Sequence, residues 1–301
     1  MLVMMMLAAA ALLVLALVSG AVLGWANRAF HVEVDPRIEA IAGVLPGANC
    51  GGCGFIGCGD YAAAVVNQGA PVNKCTVGGA SCAAAVARIM GVEAKESWPA
   101  RPVVHCRATL EDRLLRAEYR GEQTCAAANV VSGVQGCTYG CLGLGDCARA
   151  CSYGALRIVR GLAEVDYEKC VGCGACARAC PRHILTMVPF KAERMVVIAC
   201  SNRDFGKDVR NVCKVGCLGC KACEKAMGSL FKVVDNLPRI DYEAYSGDPD
   251  VAPALQKCPS KTIVRVGKPS PRDLEATRDQ KVPGEIPPDP RSSVDRTSWR
   301  G

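Results

Sequence analysis

The 21 cysteines constrain the fold of this 301-residue chain more than any other feature. Most of them stand in tight groups, with two to five residues between neighbours. Disulfide frameworks rarely crowd cysteines so closely, and an odd count leaves at least one thiol unpaired. Thiolates at this spacing suit a bound metal or cluster. We therefore expect cysteine-ligated metal centres in a reducing compartment rather than a disulfide scaffold.

The clearest motif runs from Cys170 to Pro181 and reads CVGCGACARACP. It matches the C-x2-C-x2-C-x3-C-P run of bacterial ferredoxins, in which the fourth cysteine ligates the other of two clusters. The partner motif, residues 137–151, departs from that run, because Leu144 stands where a cysteine is expected and Ser152 where proline is usual. The crossed rule predicts two [4Fe–4S] sites, one with Cys137, Cys141, Cys147 and Cys180, the other with Cys151, Cys170, Cys173 and Cys176.

Residues 194–267 repeat the pattern of residues 102–190, but only half of the cysteines remain. Met227 and Tyr245 occupy positions where the repeat would place cysteines. We expect this unit to have lost one site and kept the other, with Cys217, Cys220, Cys223 and Cys258 as ligands. Because Cys213 also aligns with Cys137, either Cys213 or Cys220 could complete the surviving site.

The first soluble unit carries Cys50, Cys53, Cys58 and Cys75 among several glycines, before and after a helix predicted over residues 61–67. We expect a further [4Fe–4S] cluster here, with structural zinc as the rival at this spacing. Cys82 lies in an alanine-rich stretch and is predicted to be a small core residue. Four cysteines remain, and they either converge on a further cluster or are structural thiols: Cys106, Cys125, Cys200 and Cys213. We therefore expect four clusters, with a fifth as an open alternative.

The N-terminal segment from Leu2 to Trp25 carries no charge and is long enough to cross a bilayer as a helix. A cleaved signal peptide would need a charged start and a shorter apolar run. Gly20 and Gly24 form a small-xxx-small pair that could contact a partner helix. Arg28 follows the span, which predicts a single-pass protein of the inner or plasma membrane with its soluble part in the cytoplasm.

These patterns predict an α+β protein with an N-terminal transmembrane helix, a small helical Fe–S domain and tandem ferredoxin-like domains. The predicted segments are 1–27 for the anchor, 36–98 for the first 4Fe–4S domain, 102–190 for a two-cluster domain, 194–267 for its degenerate copy and 268–301 for a disordered tail. The net charge of +7 suits an acidic protein partner or an anionic membrane. Nucleic acid is not expected, because no basic run is interleaved with the sparse aromatics.

The anchor, the first cysteine domain and the run CTYGCLGLGDCARAC followed by CVGCGACARACP together resemble the B subunit of the Rnf complex, over roughly residues 1–267. That complex is a membrane-bound, ion-translocating ferredoxin:NAD+ oxidoreductase. The resemblance implies an electron-relay subunit, with soluble ferredoxin and flavin- and NAD-binding subunits as partners. The chain has no dinucleotide fingerprint of its own. Two other interpretations stay open: a related complex that reduces a redox-sensing regulator, and a membrane-tethered zinc-binding interaction module.

Overall fold

The computed structural model describes residues 2–30, 35–94, 98–117, 119–131, 133–245 and 249–267. The tail predicted to be disordered, residues 268–301, lies outside the described residues. The first element is helix α1, Leu2–Ala29. Its 28 residues span about 42 Å at the usual rise, against a hydrocarbon core of about 30 Å. By length and composition it is able to cross a membrane, as the sequence predicts.

Three helices form the N-terminal Fe–S domain: α2, Pro36–Val44; α3, Cys58–Gln68; and α4, Gly79–Met90. Helix α2 begins after Asp35, whose carboxylate accepts a hydrogen bond from the backbone of Arg37. Helices α3 and α4 pack against α2 around a small core that contains Ile41, Tyr61 and Val86. The predicted helix over residues 61–67 falls inside α3.

Cys82 is buried in the core of this domain, as predicted. Its thiol lies 3.6 Å from the carbonyl oxygen of Val44, to which it donates a hydrogen bond. Burial raises the pKa of Cys82 to about 11, and the neighbouring thiols of Cys75 and Cys58 add to the rise.

Two longer segments follow, and they share one order of elements: strand, helix, helix, hairpin, helix, strand. The first has β1, Ala100–Val104; α5, Cys125–Val130; α6, Asp146–Arg149; β2, Leu156–Val159; β3, Leu162–Val165; α7, Ala175–Ala179; and β4, Leu185–Pro189. The second has β5, Arg194–Ile198; α8, Gly206–Val212; α9, Ala222–Ala226; β6, Phe231–Val234; β7, Leu237–Ile240; α10, Ala252–Lys257; and β8, Ile263–Gly267.

The strand pairing also repeats, and all four pairs are antiparallel. Strand β1 pairs with β4 and β2 with β3, and correspondingly β5 pairs with β8 and β6 with β7. Strands β2 and β3 form a hairpin in which Leu156 pairs with Val165 and Val159 with Leu162. We call the two segments unit two and unit three, after the N-terminal Fe–S domain.

Units two and three share a hydrophobic core instead of meeting through a polar surface. Val103, Val188 and Phe190 of unit two pack in one cluster with Val196 and Phe231 of unit three. Strand β5 is therefore buried along most of its length. This explains its continuous apolar sequence, which is typical of a strand covered on both faces.

The core of unit three occupies the place of the site that the sequence predicts this unit to have lost. Tyr245 is only 2% exposed and packs in the same cluster as Met227 and Phe231. Its hydroxyl accepts a hydrogen bond from the backbone of Val196 at 3.2 Å. Side chains thus fill the volume in which the ferredoxin pattern would place a second cluster.

Candidate iron–sulfur sites

Twenty of the 21 cysteines lie in five groups of four, and all 21 belong to the described part of the chain. Site 1 contains Cys50, Cys53, Cys58 and Cys75; site 2, Cys151, Cys170, Cys173 and Cys176; site 3, Cys125, Cys141, Cys147 and Cys180; site 4, Cys106, Cys137, Cys200 and Cys213; and site 5, Cys217, Cys220, Cys223 and Cys258. The cysteines of sites 1, 3, 4 and 5 each surround a small cavity.

Site 1 brings together the four cysteines predicted for the first domain. The Asn49 side chain accepts a hydrogen bond from the backbone of Cys58 at 2.8 Å and so holds the start of α3 over the cavity. The Gly78 backbone N–H donates to the sulfur of Cys75 at 3.3 Å. The buried hydroxyl of Thr76 also lines this cavity and has no hydrogen-bond partner among the described residues.

Site 2 also has the four predicted members, and it shows the crossed arrangement of the ferredoxin motif. Three come from the Cys170 loop and α7, while Cys151 follows α6. Burial raises the pKa of Cys176 to about 11, and the nearby thiols of Cys170, Cys173 and Cys151 add to the rise. The backbone N–H of Ala155 donates to the sulfur of Cys151 at 3.3 Å.

Site 3 differs from its predicted composition, because Cys125 takes the place that we expected for Cys137. Asp146, the first residue of α6, accepts hydrogen bonds from the backbone N–H groups of Cys125 and Ala126, each at 2.9 Å. This carboxylate ties the start of α5 to α6, which carries Cys147. Leu144, at the position where the motif lacks a cysteine, packs instead in a separate apolar cluster.

Site 5 contains Cys220, while Cys213 lies in site 4, so the structure separates the two candidates that the sequence left open. The Thr262 hydroxyl lies 3.5 Å from the sulfur of Cys258. Cys220 is exposed to solvent, whereas the other cysteines are half-buried or buried.

Site 4 gathers three of the four cysteines that the sequence left as a tentative group, Cys106, Cys200 and Cys213. The fourth is Cys137 in place of Cys125, the reverse of the exchange at site 3. Ligand spacing alone did not show this exchange, because it depends on contacts between segments far apart in the sequence.

The chemistry around these quartets fits an anionic iron–sulfur cluster. Backbone N–H groups already donate hydrogen bonds to three of the sulfurs, and a cluster-bound thiolate accepts such bonds. Two buried polar atoms lack a hydrogen-bond partner among the described residues, Thr76 Oγ1 and Arg113 Nε. Both belong to side chains that line a cysteine cavity, where a bound anion would accept from them.

Among the described residues, the cysteine quartets are not arranged around a single metal ion. Within the described ranges, no three His, Cys, Asp or Glu side chains converge on one metal-ion position. A zinc ion binds each thiolate sulfur at a Zn–S distance of about 2.3 Å. Burial raises the pKa of Cys141 and that of Cys200 to about 12 each, so a metal centre must displace the protons from these thiols as it binds.

Several residues of the sites escaped the sequence analysis. Thr76 and Thr262 stand within four residues of a predicted ligand, so a search for hydroxyls beside the motifs could have found them. Asn202 stands two residues after Cys200, so the same search could have found it, whereas Arg113 has no such local signal and is brought to site 4 by the fold.

Comparison with known families supports the assignment of iron–sulfur chemistry. Residues 45–77 match the family described as "Putative Fe-S cluster", and residues 163–186 match the "4Fe-4S binding domain" family. The first match encloses all of the cysteines of site 1, and the second contains four of the cysteines of sites 2 and 3.

Similar proteins cover most of the chain. The B subunit of an ion-translocating oxidoreductase complex from Methanosarcina acetivorans is 39% identical over 81% of this chain and 92% of that protein. The B subunit of a Na(+)-translocating ferredoxin:NAD(+) oxidoreductase complex from Acetobacterium woodii is 42% identical, over 83% of this chain and 74% of its own length. A proton-translocating counterpart from Clostridium ljungdahlii is 37% identical, over 83% and 88%. With this identity over most of both sequences, the chain belongs to the family of B subunits of ion-translocating oxidoreductase complexes.

Proposed function

We propose that this chain relays single electrons from a ferredoxin to other subunits of a membrane-bound, ion-translocating ferredoxin:NAD+ oxidoreductase complex, with [4Fe–4S] clusters at sites 1, 2, 3 and 5. Bound clusters of this type take up and release one electron without breaking a covalent bond. The observation that carries the proposal is the arrangement of the cysteine sites: sites 1, 2 and 3 contact one another in that order, and site 5, with its exposed ligand, lies in the unit that shares a core with unit two.

The contact between sites 1 and 2 is direct. A Cβ atom on Gly52, in the site 1 loop, would lie 2.9 Å from the carbonyl oxygen of Cys173, so the two ligand loops meet backbone to backbone. The guanidinium of Arg178 donates to the carbonyl oxygens of both Cys173 and Cys50, at 3.2 and 3.4 Å. These contacts hold the N-terminal domain against unit two so that sites 1 and 2 lie close together, as electron transfer between the two sites requires.

Sites 2 and 3 are connected by the two helices that serve both. Helix α6 carries Cys147 of site 3 and leads to Cys151 of site 2, while α7 carries Cys176 of site 2 and leads to Cys180 of site 3. Cys147, Cys176 and Cys180 pack in a single apolar cluster. This burial excludes water from the space between the two sites and lowers the local dielectric, which tunes the potentials of bound clusters.

Site 5 has the features of a place where an acidic protein delivers electrons. Its ligand Cys220 is exposed. Two segments carry this site, residues 217–226 and 252–261. Their charged residues are four exposed lysines and one half-buried glutamate, which give a net charge of +3: Lys221, Lys225, Lys257, Lys261 and Glu224. Positive charge around an exposed redox site attracts an acidic partner and speeds its encounter. We infer that ferredoxin docks here.

Site 1 lies at the other end, near the membrane. Helix α1 ends at Ala29 and α2 begins at Pro36, so the six residues between them reach at most about 25 Å. Ile56, between two site 1 ligands, is 90% exposed, as expected for a surface that another subunit covers. We infer that electrons leave here toward flavin- and NAD-binding subunits. The positive residues that follow the anchor, Arg28 and Arg37, favour a cytoplasmic soluble part.

The test is stopped-flow reduction of the anaerobically purified full chain by reduced ferredoxin, followed by bleaching of the visible cluster absorption. We expect bimolecular reduction with a rate constant that falls as salt rises. The double variant Lys221→Glu/Lys257→Glu should slow this rate about tenfold or more at low ionic strength. The control variant Arg88→Glu reverses one charge at an exposed position of α4 and should leave the rate near that of the wild type, and each single variant, Lys221→Glu or Lys257→Glu, should slow it by comparison.

Two results would contradict the proposal. A colourless protein with stoichiometric zinc would support an interaction module instead. The second is a brown protein whose clusters dithionite reduces but reduced ferredoxin does not. That result would show that the clusters are present but accept electrons from another donor.

A further inference from the structure

We propose that site 4 binds a fifth [4Fe–4S] cluster, which joins the two ferredoxin-like units and completes the line of sites from site 3 to site 5. Its four cysteines are the tentative group of the sequence analysis with one exchange. They surround one cavity, as the cysteines of sites 1, 3 and 5 do.

The ligands come equally from the two units. Cys106 follows β1 by two residues, and Cys200 follows β5 by two residues, so the repeat places both at the same point of the fold. Cys137 and Cys213 form the second pair, and both are buried, at 8% and 7% exposure. The site therefore takes two thiols from each side of the interface between the units.

Backbone pairing holds Cys137 and Cys213 on opposite sides of one short segment. Leu114 donates its N–H to the carbonyl oxygen of Val212 at 3.0 Å and accepts from the N–H of Gly136 at 2.7 Å. An isolated β-bridge also joins Arg113 to Cys213. The backbone hydrogen bonds of segment 113–115 therefore hold Cys137 and Cys213 at a set distance from each other.

Two of the four sulfurs already have a hydrogen-bond donor beside them. The Asn202 side-chain nitrogen lies 3.6 Å from the sulfur of Cys137, and the asparagine is only 2% exposed. The backbone N–H of Cys217 donates to the sulfur of Cys200 at 3.3 Å. Ligated thiolates need such donors, whereas an unligated buried thiol gains little from them.

A buried cation faces the same cavity without a carboxylate partner among the described residues. Arg113 is 5% exposed and lines the cavity, and its Nη groups donate to the carbonyl oxygens of Cys141 and Gly161. Its Nε is buried and has no hydrogen-bond partner in the same part of the chain. Burying a guanidinium beside neutral groups alone is costly, so this position calls for an anion. A cluster with four thiolate ligands supplies that negative charge.

Site 4 also contacts the sites on both sides of it. Cys137 of site 4 and Cys141 of site 3 are separated by three residues, and Arg182, just after a site 3 ligand, donates to the carbonyl oxygen of Cys137 at 3.1 Å. On the other side, Cys200 accepts from the N–H of the site 5 ligand Cys217. This inference rests on the proposed relay for its direction: one electron entering at site 5 reduces site 4, which is oxidised again as site 3 is reduced.

Counting iron and acid-labile sulfide in the anaerobically purified full chain tests the new site without any activity assay. Five clusters require about 20 iron and 20 sulfide atoms per chain. The double variant Cys106→Ala/Cys200→Ala should lose about four of each. The control Cys82→Ala removes a buried cysteine outside all five sites and should keep the wild-type count.

The wild type alone also decides the question, should the double variant fail to fold. Full reduction should produce about five spins per chain by EPR if each reduced cluster contributes one. About 16 iron atoms and four spins in the wild type, or an unchanged iron count in a folded double variant, would overturn the proposal. Zinc in place of the missing iron would overturn it as well.

These outcomes are separate from failure of the proposed function. A wild-type chain with about 16 iron atoms that still accepts electrons from reduced ferredoxin would refute site 4 and leave the relay intact. A chain with about 20 iron atoms that ferredoxin does not reduce would support site 4 and refute the relay from ferredoxin.

Discussion

The hydroxyl of Thr262 offers a quantitative test of the site 5 assignment. Thr262 is almost completely buried, and its hydroxyl lies 3.5 Å from the sulfur of Cys258. A thiolate bound to iron has no proton, so the hydroxyl must be the donor once the cluster is present. A donor to a ligand sulfur stabilises the more negative, reduced cluster more than the oxidised one, and so raises its reduction potential.

The Thr262→Val variant keeps the side-chain shape and removes only that donor. An ordinary hydrogen bond contributes about 0.5–1.5 kcal/mol. A tenfold change in an equilibrium constant corresponds to about 1.4 kcal/mol and, for one electron, to about 59 mV. If the whole hydrogen-bond energy favours the reduced cluster over the oxidised one, its loss would lower the reduction potential by about 20–60 mV. The backbone bond from Ala199 to the Thr262 carbonyl oxygen does not depend on the side chain, so the strand should stay in place.

An EPR-monitored redox titration of the anaerobic protein measures this shift directly. We expect one cluster to titrate at lower potential in Thr262→Val, with the others unchanged, and wild-type behaviour in the Thr262→Ser variant, which keeps a hydroxyl. A potential that stays constant or rises in Thr262→Val, at full iron content, would refute the reasoning that this hydroxyl donates to a cluster ligand.

Three further perturbations have defined outcomes. Tyr245→Ala should destabilise unit three by about 3–5 kcal/mol because it empties a core position, and a lower temperature for loss of cluster absorption would report this; an unchanged temperature would contradict the packing. Gly52→Val should push the ligand loop away from Cys173 and slow electron transfer into site 1 at constant iron content, while Gly59→Ala, with open space around it, should have no such effect. Deleting residues 2–29 should release the protein from membranes with its iron content unchanged, and continued sedimentation with membranes would show a second anchor.

Sites 1, 2 and 5 illustrate what local sequence can determine. Each takes three of its ligands from one short stretch of chain, within which two to four residues separate neighbouring cysteines, so the motif itself brings them together. The crossed rule then supplies Cys151 for site 2 and Cys258 for site 5, because both follow from the ferredoxin repeat. The apolar N-terminal helix is equally local, since an uncharged apolar run of this length has few other stable structures in water or lipid.

The partition of Cys125, Cys137 and Cys213 depended on tertiary structure. The sequence places Cys137 near site 3 by spacing, but the carboxylate of Asp146 draws Cys125 to that site, and the pairing of segment 113–115 turns Cys137 toward unit three. These are bonds between segments roughly 20 to 100 residues apart, which no motif records.

The ability to bind clusters and the grouping of the cysteines into sites thus have different physical origins. The sequence by itself determined that the chain binds clusters, because thiolate spacing is a short-range property of each loop. Only the tertiary structure decided which four thiols line one cavity between the units and which buried cation and donors face it. Those choices rest on the packing of two related domains against a common core, and that packing is the property that single-chain motifs do not encode.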